Sequence, residues 1–580
     1  MGMARRKARH FRTIETCYNN FYMVNRIISL FSKEISNIHQ AAYLIAVFAL
    51  LSQFLGLIRD RLLAGKFGAN LELDIYYAAF RIPDFIFTLI ISLVSASVLI
   101  PFIIRALEQD NEYLKRFSNS IFTALSLIAF IFGVVTFIFA PNLLAIVFPD
   151  YIQNDSAGTL ILLTRILLFQ TVLLSFSGFY MSYVQVFQKF IIYALSPILY
   201  NFGIIVGIVF FYDKLGMAGL AWGVVLGALL HLLITIPIVF KQKIFPKFIW
   251  NPDWKIIREV LILSLPRTIA LTGNQVSIIV MLAFAAIMTT GSVAIFTFAF
   301  NLQSIPLSII GASYSMAAFP TLAKLFAKGE TKIFIEYVVK AARHIIFWSI
   351  PITVLFIVLR AQIVRTILGT GKFSWDDTRL VSAALGLFVI SAVAQSLILL
   401  FVRGYYSTGE TIKPLLFSIS SITVTIASVF GLYFLYNSSP TFVYFLESIM
   451  RVRSGPGSIV LILPIAFSIG QILNLVLLWA SFDNKFSCFS DILWRSIFHA
   501  TSSSLIMGYV TYQMLRVFDD VFDVNTTMGI FAQGFFSGIV GIMVGIIILV
   551  IIGNQEIKTV GKTLHSRFWK AKVVMVEEEL

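Results

Sequence analysis

Apolar stretches of about 18–28 residues recur along this chain, separated by short loops where the polar and charged residues collect. Each is long enough to cross a hydrocarbon core of about 30 Å as a helix. The short alternating segments of a membrane barrel do not occur, so the spans are expected to be helical. Fourteen are predicted, near 41–58, 76–104, 117–140, 158–183, 187–211, 216–240, 256–288, 291–318, 336–358, 378–402, 411–436, 458–482, 492–514 and 527–553. The fold class is therefore an all-α polytopic membrane protein.

Composition agrees: of 580 residues, 58% are hydrophobic and 13% charged, more apolar than a water-soluble core requires. A net charge of +15 raises the question of nucleic acid. The basic residues instead lie between apolar spans and at both ends, where anionic lipid headgroups and membrane topology account for them, and nucleic-acid binding is set aside. With the N-terminus inside, the cytoplasmic loops carry Lys115 and Arg116, then Lys241, Lys247, Lys255 and Arg258, then Lys324, Lys328 and Lys332. Asp150, Asp519, Asp520 and Asp523 fall outside, and the even span count returns the basic tail to the cytoplasm. Arg360, Arg365, Lys372 and Arg379 fall in an external loop and break this pattern. Cys17 and Cys488 stand alone, and no metal-ligand, nucleotide-binding or nucleophile motif is present.

Weak echoes suggest two halves. The run 99–102 (LIPF) matches 317–320 (AAFP), 178–180 (GFY) matches 404–406 (GYY), and Gly227-x-x-x-His231 matches Gly470-x-x-x-Asn474. Six helices per half make the repeats parallel, a transporter architecture of two lobes around a central cavity. The expected layout is a basic arm with an amphipathic surface helix (1–38), an N-lobe (39–250), a C-lobe (251–485), two extra helices (486–555) and a cytoplasmic tail (556–580). Residues 437–457 read as an insertion.

Ionised groups near membrane depth are expensive and mark function, mutual pairing or the membrane rim. The run 56–68 (GLIRDRLLAGKFG) and its continuation 74–85 (DIYYAAFRIPDF) concentrate them: Arg59, Asp60, Arg61, Asp74, Arg81 and Asp84. Asp74, Arg81 and Asp84 are spaced by near-whole helical turns, which suits an anionic headgroup held by arginine with aspartate orienting the guanidinium. For Asp60 and Arg61 the favoured reading is a helix-end salt-bridge cluster that fixes the hairpin at the interface. Pro83, Pro266 and Pro306 lie inside spans, where a kink can act as a hinge. Arg267 follows Pro266 within the seventh span, and Arg165 in the fourth must face protein or a cavity. Gln53, Asn201, Asn301, Gln303 and Gln395 are further polar points in apolar spans, and interhelical hydrogen bonding is the common use of such amides. His231 reads as a packing histidine. Asp376 and Asp377 form the one external pair that could tempt a metal-dependent glycosyltransferase reading, and a helix-start cap explains them as well.

The opening hairpin closely resembles that of the MurJ/MviN family of lipid II flippases, within the multidrug/oligosaccharidyl-lipid/polysaccharide exporter superfamily. The resemblance continues at 196–201 (SPILYN), 219–227 (GLAWGVVLG), 317–324 (AAFPTLAK), 371–377 (GKFSWDD) and 403–414 (RGYYSTGETIKP). It implies movement of an undecaprenyl-pyrophosphate-linked peptidoglycan precursor from the inner to the outer leaflet by alternating access, in a multi-pass bacterial inner-membrane protein with both termini cytoplasmic. The implied partners are the lipid-linked glycan and membrane lipids, for a monomer that needs no cofactor, with any coupling cation left open. Arg59 and Asp74 match the family's cationic cavity. Gln53, Phe87 and Asn301 stand where better-known members carry arginine, leaving Arg81, Arg267 or Arg403 to replace the lost charge. A related exporter of another polyprenyl-linked oligosaccharide or of drugs stays open at this point.

Overall fold

Each of the fourteen stretches expected to cross the membrane carries helix, and no strand occurs among the described residues. The computed structural model describes residues 38–558 apart from 94–95, 242–243, 453–455 and 487–489. The expected surface helix within 1–38 and most of the 556–580 tail fall outside the described residues. Among the described residues ten helical segments are long and apolar enough to span a bilayer, and a pair bent by 41°, Trp375–Val389 with Ala392–Ser407, counts as an eleventh if taken as one span. The other three expected spans are the helices Ile38–Phe67, Trp254–Ala286 and Ser490–Asp519.

Ser490–Asp519 shows why hydropathy alone undervalues a span. Its Ser503, Ser504 and Thr511 are buried, and the Ser503 hydroxyl donates to the Gly545 carbonyl of Thr527–Ile551 at 2.9 Å. Small and hydroxylated residues let two helix backbones approach in lipid, so polarity here is packing material.

The described chain divides into two compact units. One comprises the residues through Arg59 with Ala79–Ile146 and Ile152–Thr272; the other comprises Asp60–Ala78, Val147–Tyr151 and everything from Gly273. In the first unit, Phe190–Val206 packs on Met217–Leu233 through glycines on both helices. A Cβ at Gly207 would fall 2.5 Å from the Gly223 Cα, so no side chain fits at this crossing. Gly227 likewise abuts the Tyr200 backbone. His231, one turn on, has its ring nitrogen Nδ1 2.7 Å from the Ser177 hydroxyl, a packing role as expected.

The second unit has a core rich in aromatic rings, with Phe334, Phe401, Tyr405 and Phe482 fully buried. Its Gly470 occupies the position matching Gly227 in the sequence echo. Gly470 is crowded by Thr425 of Ile412–Ser438, and the Ser421 hydroxyl donates to its carbonyl at 2.7 Å. In both units the repeated glycine marks the close approach of one helix to its predecessor. The 437–457 insertion is itself structured, carrying the helix Pro440–Met450. Arg360 donates to the Met450 carbonyl at 3.1 Å, and Arg365 donates to the Phe373 carbonyl at 3.0 Å while lying over the Trp375 ring. Two of the arginines that break the expected topology pattern are thus occupied in bracing local structure.

Candidate functional site

The charged run at the end of Ile38–Phe67 distributes its side chains by helical geometry, since neighbouring residues point about 100° apart. In the first unit, Arg59 donates to Asn201 Oδ1 at 3.2 Å. The Asn201 amide nitrogen is itself committed to the Ser52 hydroxyl at 3.3 Å and the Pro197 carbonyl at 3.1 Å. That fixes the amide with its oxygen toward the guanidinium, so Arg59 is oriented rather than free to sweep. Half-buried Gln53 lies in the same helix.

Arg81 and Asp84 begin the helix Arg81–Leu93, three residues apart, and the Arg81 charge acts directly on the Asp84 carboxylate. Between them Pro83 sits in the first turn, where a missing N–H costs least. Pro83 leaves the Ala79 carbonyl without its helical donor, and the buried Thr164 hydroxyl reaches that carbonyl at 3.4 Å. Thr171, two turns along the same helix, donates to the Pro83 carbonyl at 3.1 Å. The Thr164 hydroxyl therefore supplies a donor to the carbonyl that the proline leaves without one, as membrane helices require.

In the second unit, Asp60 is buried and accepts from the Asn301 amide at 3.1 Å. Arg61 donates to the Thr366 carbonyl at 2.5 Å and the Ile367 carbonyl at 3.0 Å, the unpaired end of Arg360–Leu368. The Lys372 amide donates to the Gly65 carbonyl at 2.9 Å. Two of the motif stretches, 56–68 and 371–377, thus dock on each other. Asp377 accepts from the Ser374 amide while Ser374 accepts from the Asp377 amide, a capping box, and Asp376 accepts from Arg379 at 3.2 Å.

Asp74 is wholly buried and meets a helix N-terminus rather than an arginine. Its carboxylate accepts from the Gly291 amide at 2.6 Å and the Ala294 amide at 2.8 Å, the opening turn of Ser292–Pro306. Gly291 has φ +89°, a left-handed conformation suited to glycine, and any side chain there would strike the Ala69 backbone. Tyr151 adds a longer contact to Asp74 at 3.5 Å. Burial, then the neighbouring carboxylate, pushes the Tyr151 phenol well above its ordinary range, so it stays protonated and donates.

Pro306 closes Ser292–Pro306 at the point where a π-helical turn, Leu307–Ala312, begins. Arg403 is half-buried and has no hydrogen-bond or ion-pair partner among the described residues. Pro266 and Arg267 belong to Trp254–Ala286, but their side chains lie outside the described residues. Sequence reasoning missed Thr164, Thr171, Tyr151 and the Gly291 turn. The run 289–292 (TTGS) before an apolar stretch was a legible helix-start signal.

An all-helical chain of this kind has the fold of the MOP-superfamily transporters. It superposes on an inward-facing multidrug resistance MATE family transporter with a TM-score of 0.60 at 14% identity, covering 78% of this chain and 99% of that one. A lipid II flippase MurJ structure in an inward closed conformation gives a TM-score of 0.70 at 22% identity, over 88% and 98%. Residues 63–533 match the family described as lipid II flippase MurJ, and the chain belongs to that family. Curated relatives agree: the probable lipid II flippase MurJ of Buchnera aphidicola is 26% identical over 379 residues, 64% of this chain and 73% of that protein. The corresponding protein of Thermotoga maritima is 25% identical over 462 residues, 79% and 87%. The lipid II flippase MurJ of Burkholderia cenocepacia is 24% identical over 397 residues, 67% and 77%. The family resemblance carried by the opening hairpin holds across most of the chain, which is a transporter and not an enzyme.

Proposed function

We propose that this protein carries lipid II from the inner to the outer leaflet of a bacterial inner membrane by alternating access. The observation that carries the reading is the family match through residues 63–533, which takes in helices from both units. The cargo's pyrophosphate calls for a cation held in place, and Arg59 clasped by a fixed Asn201 is a suitable one. Arg81, Arg403 and Arg267 are the further positive charges available to it, with Asp84 steadying Arg81. Asn301 stands on Asp60 and donates a hydrogen bond to that carboxylate. Gln53, six residues before Arg59 in the same helix, is a further polar group offered to the cargo. Pro83, Pro266 and Pro306 are the proposed hinges, supported at Pro306 by the π-helical turn that follows it. Outward movement of the pyrophosphate is electrically downhill in an inside-negative cell, by about 2.3 kcal/mol per charge per 100 mV. The protein then works as a monomer without ATP, with both termini cytoplasmic, the orientation favoured by its basic loops.

Native mass spectrometry of the full chain with lipid II tests cargo recognition. Loss of one charge-assisted hydrogen bond of about 1.5–3 kcal/mol in Arg59→Ala predicts roughly 10- to 100-fold weaker retention. Equal retention by wild type and Arg59→Ala refutes the role of Arg59, and failure of the wild type to retain lipid II refutes the cargo.

A further inference from the structure

Pro141 lies inside the long helix Asn111–Val147 and has no N–H to give. The carbonyl it leaves unpaired, four residues back, belongs to Phe137. Arg165 of the neighbouring helix Ala157–Val186 donates its Nε to that carbonyl at 3.1 Å, and its guanidinium carbon lies 4.8 Å from the centre of the Phe137 ring. One of the five N–H donors of the guanidinium is thereby used. The rest have no acceptor among the described residues.

They border a groove of about 420 Å³ between these two helices, whose other walls include Ser126, Phe130, Gly133, Val134 and Phe169. Phe130 and Phe169 are 68% and 53% exposed, so the groove opens to the outside of the first unit. The Ser126 hydroxyl is turned back on the Phe122 carbonyl at 2.7 Å, leaving the arginine as the one cation at an otherwise apolar surface. Arg165 lies eight residues in from Ala157, about 12 Å along the helix axis. On a 30-residue helix, about 45 Å long against a hydrocarbon core of about 30 Å, that position falls near the boundary between core and headgroups, where a guanidinium with spare donors favours an anion.

We propose that this groove is a binding site for one anionic phospholipid, its phosphate on Arg165 and an acyl chain along the apolar walls. Zwitterionic lipids offer the same chain with no net charge to complement the arginine. The site is independent of the transport reading, since every residue in it belongs to one face of the first unit.

The test is native mass spectrometry of the purified full chain with phosphatidylglycerol, with phosphatidylcholine, and with phosphatidylglycerol in the presence of inorganic phosphate. One phosphatidylglycerol should be retained selectively by the wild type, and Arg165→Gln should weaken it by about tenfold. Gly133→Leu provides the second variant. A Cβ at Gly133 meets nothing within 4 Å, so the substitution fills the groove without disturbing the packing, and it should weaken retention similarly. Unchanged retention in both variants, equal retention of phosphatidylcholine, or displacement by inorganic phosphate overturns the proposal. Loss in Arg165→Gln with full retention in Gly133→Leu overturns the placement of the chain in the groove.

Discussion

Replacing Asp74 separates a structural carboxylate from a cargo-handling one. The side chain is inaccessible to solvent, and two backbone amides at 2.6 and 2.8 Å depend on it. Asp74→Ala strands both donors in the protein interior at about 1–3 kcal/mol each, so the expected cost is about 2–6 kcal/mol. Asp74→Asn keeps one acceptor oxygen and removes the negative charge from the helix N-terminus. It should cost less, about 1–3 kcal/mol, from one lost amide acceptor and the weakened interaction with the helix dipole. Unfolding of the purified chain titrated with dodecyl sulfate in mixed micelles measures both. The predicted order is wild type, then Asn, then Ala, with transport falling in step with the folded fraction. If both variants stay within about 0.5 kcal/mol of wild type while transport is abolished, the carboxylate acts on cargo and the capping argument is wrong.

Other elements give equally direct tests. Gly207→Leu or Gly223→Leu should force apart the helices that meet there and abolish membrane accumulation; Gly431→Ala, where a Cβ meets nothing within 4 Å, should be silent by immunoblot. Arg61→Ala frees the Thr366 and Ile367 carbonyls and should destabilise by about 1.5–3 kcal/mol, partly recovered by Arg61→Lys in the same unfolding titration. Glu410 accepts from Lys485 at 2.6 Å and lies 3.6 Å from Lys413, and the Lys485 hydrogen bond leads in holding its pKa below the ordinary value of 4.5. A depressed pKa contributes stability above the unfolded value that is lost as pH falls through the folded one. The stability gap between wild type and Glu410→Gln should therefore be full above the ordinary value of 4.5 and close as pH falls below it, and a constant gap would contradict the linkage.

The spans were legible because lipid imposes one rule on every residue of a crossing helix, so runs of apolar residues suffice to find them. The same local reading singled out the 56–68 hairpin and assigned Asp60 and Arg61 a bracing role, which their bonds to Asn301, Thr366 and Ile367 supply. It could not find the partners of Asp74, which lie 217 and 220 residues further along the chain. Helical periodicity grouped Asp74 with Arg81 and Asp84, yet the carboxylate answers to a helix end that no periodicity encodes. Arg360 and Arg365, which break the expected pattern of basic loops, belong to the helix Arg360–Leu368, and their guanidinium groups donate to the carbonyls of Met450 and Phe373. Pro83 was readable as a break in the helical hydrogen-bond ladder, but Thr164, which donates to the carbonyl it frees, belongs to another helix and carries no mark in sequence.

Surface exposure of lipid II in a bacterium depleted of its own lipid II flippase tests the central claim most directly. Cells expressing this chain should resume growth and display lipid II on the outer leaflet, and Arg59→Ala at equal membrane abundance should fail at both. Abundant, correctly inserted wild-type protein that delivers no lipid II to the outer leaflet would contradict the account.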